Sequence, residues 1–323
     1  MTSPLKSFAI RSATALPYVG HRLEAYLRLR SLPPPGHYYS PIPDVEDIRT
    51  READIWRGET INGLPGIDLH ECDQLQLVDH LAAFHPEQPF PEQRAADRRY
   101  YFDNRFFSYS DAIFYYCLLR HLKPRRVIEI GSGFSSAVLL DTNELFFHSA
   151  IHCTFIDPEP ARLQSLLKPA DHATVTLLPH RLQDIDRSCF RDLGAGDILF
   201  IDSSHVSRTG SEIHLIFFEI LPLLSPGVFI HVHDVYYPFE YPREFVYRQW
   251  SWNEIYLLRA FLSYNREFQI RLFPSFLERF HRPRLGTALP LALKPYPVWP
   301  NLCGGSLWIE RARNGADSVH NGF

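Results

Sequence analysis

Beyond residue 108 the apolar positions alternate between two spacings. Residues 108–122, "SYSDAIFYYCLLRHL", repeat apolar side chains at three- and four-residue intervals, which predicts a helix with Ser108 or Ser110 as N-cap. Short runs rich in β-branched residues follow: "RRVIEI", "IHCTFI", "ATVTLL", "DILFI" and "VFIHVH". Between them lie helical patterns, "SSAVLLDTNELFF", "PARLQSLLK", "SEIHLIFFEILPLL" and "WNEIYLLRAFLSYN". Two late strands, "FQIRLF" and "GSLWIERA", close the series. Strands that alternate with helices, and that are apolar almost throughout, predict an α/β domain around a mostly parallel sheet covered on both faces.

The first hundred residues are patterned differently. Residues 31–43, "SLPPPGHYYSPIP", are too rich in proline for a helix or a central strand and read as a connector. Helical spacing returns over residues 72–84, "CDQLQLVDHLAAF". The expected organisation is an N-terminal extension over 1–105, one domain over 106–313 and a tail over 314–323.

Composition narrows the functional classes. Hydrophobic residues make up 45% of the 323, enough for a sizeable core, and the formal net charge is −4. Nothing basic enough for a nucleic-acid partner is visible. Cys72, Cys117, Cys153, Cys189 and Cys303 are scattered and form no CxxC pair, so reduced thiols and a cytoplasmic location are expected. The first thirty residues carry Lys6, Arg11, Arg22, Arg28 and Arg30 against Glu24 alone. They hold no long apolar run, so a solvated helix packed by one face is expected there, without stable membrane insertion. Aromatic residues reach 14%, leaving rings for a ligand pocket as well as the core, above all in "VYYPFEYPREFVYRQWSWNE" (235–254). The sequence is compatible with a homo-oligomer.

The candidate chemistry lies where the strands end. In parallel sheets ligands bind beyond the carboxyl ends of the strands. There the sequence places Gly131, Ser132 and Gly133, then Asp157, Asp202 and His205, and finally His233 and Asp234. His231 and His233 are two apart in one strand and share a face. The turn "GSGFSS" lacks the third glycine of a dinucleotide fingerprint, since Ser136 stands in its place. Glu129, inside the preceding strand, suits a ligand with an amino group better than a pyrophosphate.

These residues together resemble the class I S-adenosylmethionine-dependent methyltransferases. The first motif of that superfamily is matched by Val127-Ile128-Glu129-Ile130-Gly131-Ser132-Gly133, and the later acids follow in order. The resemblance covers residues 108–313 and implies a Rossmann-like sheet ending in an antiparallel strand. It implies that Glu129, Gly131, Ser132, Gly133, Asp157, Gln183, Asp184 and Asp202 hold S-adenosylmethionine. Asp157 would take the ribose hydroxyls, Gln183 and Asp184 would lie near the adenine, and Asp202 near the methyl group. The expected reaction is methyl transfer to an oxygen of a small molecule or sugar, with His205, His233 or Asp234 taking the proton. Two versions of the site stay open. In one, similar to catechol-type O-methyltransferases, Asp202 and Asp234 hold a divalent metal, Mg²⁺ or a transition ion; in the other a histidine acts without metal. Two rival functions share the fold: an iron-dependent hydroxylase-like enzyme and a non-catalytic ligand-binding protein.

Overall fold

The computed structural model describes residue 33, residues 36–295 and residues 302–313. The basic positions Lys6 to Arg30 and the expected tail 314–323 lie outside the described residues. One seven-stranded sheet organises the molecule, in the order β3-β2-β1-β4-β5-β7-β6. Its strands are β1 (Arg126–Ile130), β2 (His152–Ile156), β3 (Thr176–Leu178), β4 (Ile198–Ile201), β5 (Phe229–His233), β6 (Phe268–Leu272) and β7 (Ser306–Arg311). β1 to β5 run parallel. β7 lies antiparallel between β5 and β6. The apolar runs explain the centre of the sheet: all of β4 and β5, and all of β1 except Arg126, are buried. Both faces are covered, so neither can be polar.

The main helices are α1 (Glu71–Ala82), α2 (Tyr109–Leu122), α3 (Phe134–Phe147), α4 (Glu254–Leu262) and α5 (Pro274–Ala288). In α2 every residue from Tyr109 to Leu119 is buried, which accounts for a pattern apolar nearly all round. Ser108 is its N-cap by position, but its hydroxyl bonds the Phe102 carbonyl rather than the helix. The expected helix over "SEIHLIFFEILPLL" divides into an α-turn (Glu212–Leu215), a π-turn (Ile216–Ile220) and a 3₁₀ turn (Leu221–Leu223). Pro222 has no N–H for an α-helical ladder, and the change of winding precedes it. "PARLQSLLK" forms a single turn, Ala161–Gln164. α5 carries no clear sequence pattern and bends at His281 (φ −130°), two residues before Pro283.

Two compact units make up the described chain. The smaller joins the described residues up to Arg57 with Pro242–Ser251, and the larger holds Gly58–Tyr241 and Trp252 onward. In the smaller unit Asp44 caps the helix Val45–Thr50, and the Arg243 guanidinium lies 4.5 Å from the Trp56 ring centroid. The larger unit contains the sheet and every candidate site residue. Among the described residues no helix is long and apolar enough to cross a membrane. All five cysteines are free thiols.

A buried ion network fastens residues 99–100 to the α3 side of the sheet. Arg99 pairs with Asp141 at 2.8 Å and with Asp171 at 2.5 Å, and it also reaches Glu144. Asp141 further accepts the backbone N–H groups of Arg99 and Tyr100. Charges removed from water persist only when each finds partners, and here each has several. Asp141→Ala, which leaves Arg99 short of a partner, is expected to cost roughly 3–5 kcal/mol of stability. Denaturant unfolding followed by circular dichroism measures this; a loss below about 1 kcal/mol would show the network to be dispensable.

Candidate active site

The turn after β1 is built by backbone contacts that only glycine permits. Gly131 has φ +82°, and a Cβ there would overlap the carbonyl oxygen of Asp202. The Gly131 N–H donates to the Ile156 carbonyl at 2.9 Å, and the Asp202 N–H donates to the Ile130 carbonyl at 2.8 Å. The ends of β1, β2 and β4 are therefore laced together at this turn. Glu129 lies behind it, fully buried. Its Oε1 accepts the hydroxyls of Ser135 (2.5 Å) and Ser136 (2.9 Å), while Ser136 Oγ accepts the Gly133 N–H. Burial, eased in part by these two hydroxyls, pushes the Glu129 carboxyl up to about 8. Ser136, where a dinucleotide site has its third glycine, thus supplies a hydroxyl that ties the start of α3 to β1.

A cavity of about 710 Å³ opens in front of the turn. Gly131, Ser132, Asp157, Gln183 and Asp202 all line it. Ser132 Oγ donates to Asp157 Oδ2 at 2.7 Å, and Gln183 Nε2 donates to the Gly210 carbonyl at 3.0 Å. Three of the expected cofactor residues do not line the cavity: Glu129, Gly133 and Asp184. Gly133 instead faces Arg162, whose Cδ is 2.9 Å from where a Cβ would lie. Asp184 faces Arg181 at 3.7 Å and is largely exposed. The sequence pattern also missed a basic wall, since Arg162, Arg181 and Arg208 line the same cavity. Arg162 is anchored over the Phe106 ring at 3.8 Å, a pairing between residues 56 apart in sequence that no local motif announces.

Next to the cavity, β4 and β5 deliver a polar cluster. The two strands are parallel and in register, Ile201 opposite Val232, so the residues after them emerge side by side. His205 adopts a left-handed backbone, φ 58°, that turns its ring back towards the sheet. Its Nε2 lies 3.4 Å from Asp202 Oδ1 and 3.5 Å from Asp234 Oδ2, and its Nδ1 lies 3.0 Å from Glu254 Oε2. Asp234, itself at φ 55°, donates its N–H to the Gly305 carbonyl and accepts the Tyr236 hydroxyl at 3.0 Å.

His233 has its ring 5.4 Å from that of Phe107 and its Nδ1 3.4 Å from His231 Nε2. His231 stacks on Phe200 at 3.8 Å and meets Trp308 edge-on. The two histidines do share a face of β5, but they point into the core.

Charge separates the three histidines. Burial lowers the His231 pKa well below the ordinary value, and neighbouring His233 lowers it further, so this ring is neutral packing. Burial also opposes charge on His205, yet hydrogen bonds to Asp202 and Glu254 and the charge of Asp234 outweigh it. Its pKa lies well above the ordinary range. His233 is raised too, because the charges of Asp234, Asp202 and Asp111 overcome burial. Desolvation works against charge on Asp202, which is partly exposed to the cavity, but His233 and His205 hold its carboxyl below the usual range. At neutral pH the cluster therefore carries imidazolium facing carboxylate. The metal version of the site fits poorly: among the described residues no group of three or more His, Cys, Asp or Glu side chains is arranged to hold an ion. The expected ligands Asp202 and Asp234 both face the ring of His205 instead.

One sequence family match covers the turn and the strands after it as far as β5. A sequence model of methyltransferase domains matches residues 128–235, from β1 to the residue after Asp234. An uncharacterized protein of Archaeoglobus fulgidus is 34% identical over 183 residues, covering 54% of this chain and 81% of that protein. Among solved structures, the methyltransferase PaMTH1 of Podospora anserina, bound to S-adenosylhomocysteine, is similar at 15% identity and a TM-score of 0.41. That match covers 85% of this chain and 99% of the other. The O-methyltransferase TomG of Streptomyces achromogenes, with S-adenosylmethionine, gives 15% identity and 0.41 over 83% and 99%. The family match at residues 128–235 thus spans the glycine turn and the ends of β1, β2, β4 and β5, and the first motif, the acids at successive strand ends and the antiparallel last strand are the features in which the chain resembles the class I S-adenosylmethionine-dependent methyltransferases.

Proposed function

We propose that the protein methylates an oxygen of a small molecule, with alcohols and sugars as the acceptor class, using S-adenosylmethionine as donor. One observation supports this above the others. Asp202 belongs both to the cavity that Gly131, Ser132, Asp157 and Gln183 line and to the cluster of His205 and Asp234. A donor in the cavity and an acceptor at the cluster would meet at that residue. Asp157 and Ser132, bonded to each other, would take the ribose hydroxyls, and the turn backbone would admit the ligand closely because Gly131 has no side chain.

S-adenosylmethionine supplies an electrophilic methyl group, and the protein aligns an oxygen with it and removes a proton. In the transfer an O–C bond forms, the S–C bond breaks, and the hydroxyl proton leaves to a base. His205 is held protonated by the carboxylates around it, so its imidazole does not accept that proton at neutral pH, and the His233 ring points into the core beside Phe107. The acceptor of the proton is the Asp234 carboxylate, which Tyr236 orients and which His205 faces. Tyr236, bonded to Asp234, and Tyr241, 5.9 Å from the Trp252 ring, are buried beside the cluster and supply surroundings that strengthen such charges. No step is routed through a metal ion.

Two outcomes test this reading. Gly131→Val is expected to abolish S-adenosylhomocysteine binding, and Asp157→Ala to weaken it by roughly 1–3 kcal/mol. Isothermal calorimetry decides, and a wild type that binds no cofactor would end the proposal. Asp234→Asn is expected to lower kcat by about 10²–10⁴ with cofactor affinity kept. Turnover should already be present at pH 6–7, around the ordinary histidine pKa of about 6.5. A rate that appears only well above neutral pH would instead make an imidazole the base.

A further inference from the structure

Trp252, Asn253 and Glu254, the last of them the first residue of α4, grip the loop after β4 through seven contacts. The N–H groups of Asn253 and Glu254 both donate to the His205 carbonyl, at 2.9 and 3.1 Å. Asn253 Oδ1 accepts the Ser207 N–H at 2.6 Å, and its Nδ2 donates to the Ser207 carbonyl at 3.3 Å. The Trp252 ring lies 4.4 Å from the His205 ring. The grip ends on the side chain that matters: Glu254 Oε2 accepts from His205 Nδ1 at 3.0 Å and from the Ser203 hydroxyl at 3.0 Å.

Two features show that this carboxylate is more than loop packing. Glu254 is 2% exposed, and its second oxygen, Oε1, is buried with no hydrogen-bond partner. A half-satisfied buried carboxylate costs stability, and a neutral side chain of the same size would hold Ser203 as well. His205 meanwhile holds a left-handed backbone, φ 58°, a conformation unfavourable for a residue with a side chain. Both costs go into one outcome: Nδ1 is committed to Glu254, so Nε2 is the atom presented to Asp202 and Asp234.

We propose that Glu254 is a positioning residue for the methyl-transfer site, fixing the ring of His205 so that Nε2 faces the gap between the two strand-end carboxylates. This rests on the reading of that cluster as the acceptor side. Glu254 touches neither reactant; it acts through His205, which in turn orients Asp234.

The test is nuclear magnetic resonance of protein labelled with ¹⁵N-histidine, as wild type, Glu254→Gln and Glu254→Asp, with His205→Gln to assign the signal. A titration with S-adenosylhomocysteine accompanies each. In wild type the His205 Nδ1 proton is expected far downfield, as for an N–H donated to a carboxylate. Glu254→Gln should move it upfield or lose it to exchange, and Glu254→Asp should restore it in part. S-adenosylhomocysteine affinity should stay within about twofold throughout, and kcat in Glu254→Gln should fall by about tenfold or more without a matching rise in KM. An unchanged Nδ1 proton in Glu254→Gln would overturn the proposal. So would an unchanged kcat beside a lowered melting temperature, which would leave Glu254 a structural residue. Failure of the cofactor to bind wild type would instead defeat the methyl-transfer reading, and the Nδ1 signal would still report on Glu254.

Discussion

The close approach of two backbones holds this site together. Gly131 lies against the carbonyl of Asp202, so closely that no other residue fits. That contact lets the turn after β1 lean over β4, and the reciprocal bonds from Gly131 to Ile156 and from Asp202 to Ile130 fix three strand ends in one plane. The cavity forms in front of them because the strands stop together and the chain must turn away. Behind the turn, Glu129 with Ser135 and Ser136 locks the first residues of α3 to the strand. The acidic residue of the motif therefore shapes the cavity from behind and does not line it.

The second constraint is charge in a confined space. Asp202, Asp234 and Glu254 surround one imidazole, and Asp111 adds to the field at the next. Buried charges are tolerated when they compensate one another, and the left-handed turns at His205 and Asp234 are what bring these groups into reach. The same compensation changes the chemistry. A histidine held as imidazolium cannot serve as a base at neutral pH, but it can orient the carboxylates beside it. Of the three histidines near the sheet end, His231 packs, His233 anchors and His205 faces the site.

Much of this was legible in the residues. The alternation of apolar runs and helical patterns announced the sheet, and the ordered set Gly131, Asp157, Asp202 marked its carboxyl edge. These signals are local: a strand, a turn and an acid are adjacent in the chain, so a short window contains the whole device. The π-turn at Ile216–Ile220 and the bend of α5 were not legible, because each reflects how a proline is accommodated by its neighbours. Neither was the division of the polar residues around the cavity, in which Gln183 lines it while its neighbour Asp184 faces solvent.

By itself the amino-acid sequence determined the fold class, the glycine turn and which strand ends carry acids, since period and turn chemistry act over a few residues. Only the tertiary structure decided what those acids face. Glu254 is 49 residues from His205, Arg162 is 56 from Phe106, and Asp141 is 42 from Arg99, yet each pair is in contact. Such pairings set burial, and burial with its neighbouring charges sets protonation. Which histidine packs and which is charged are therefore properties of the folded site.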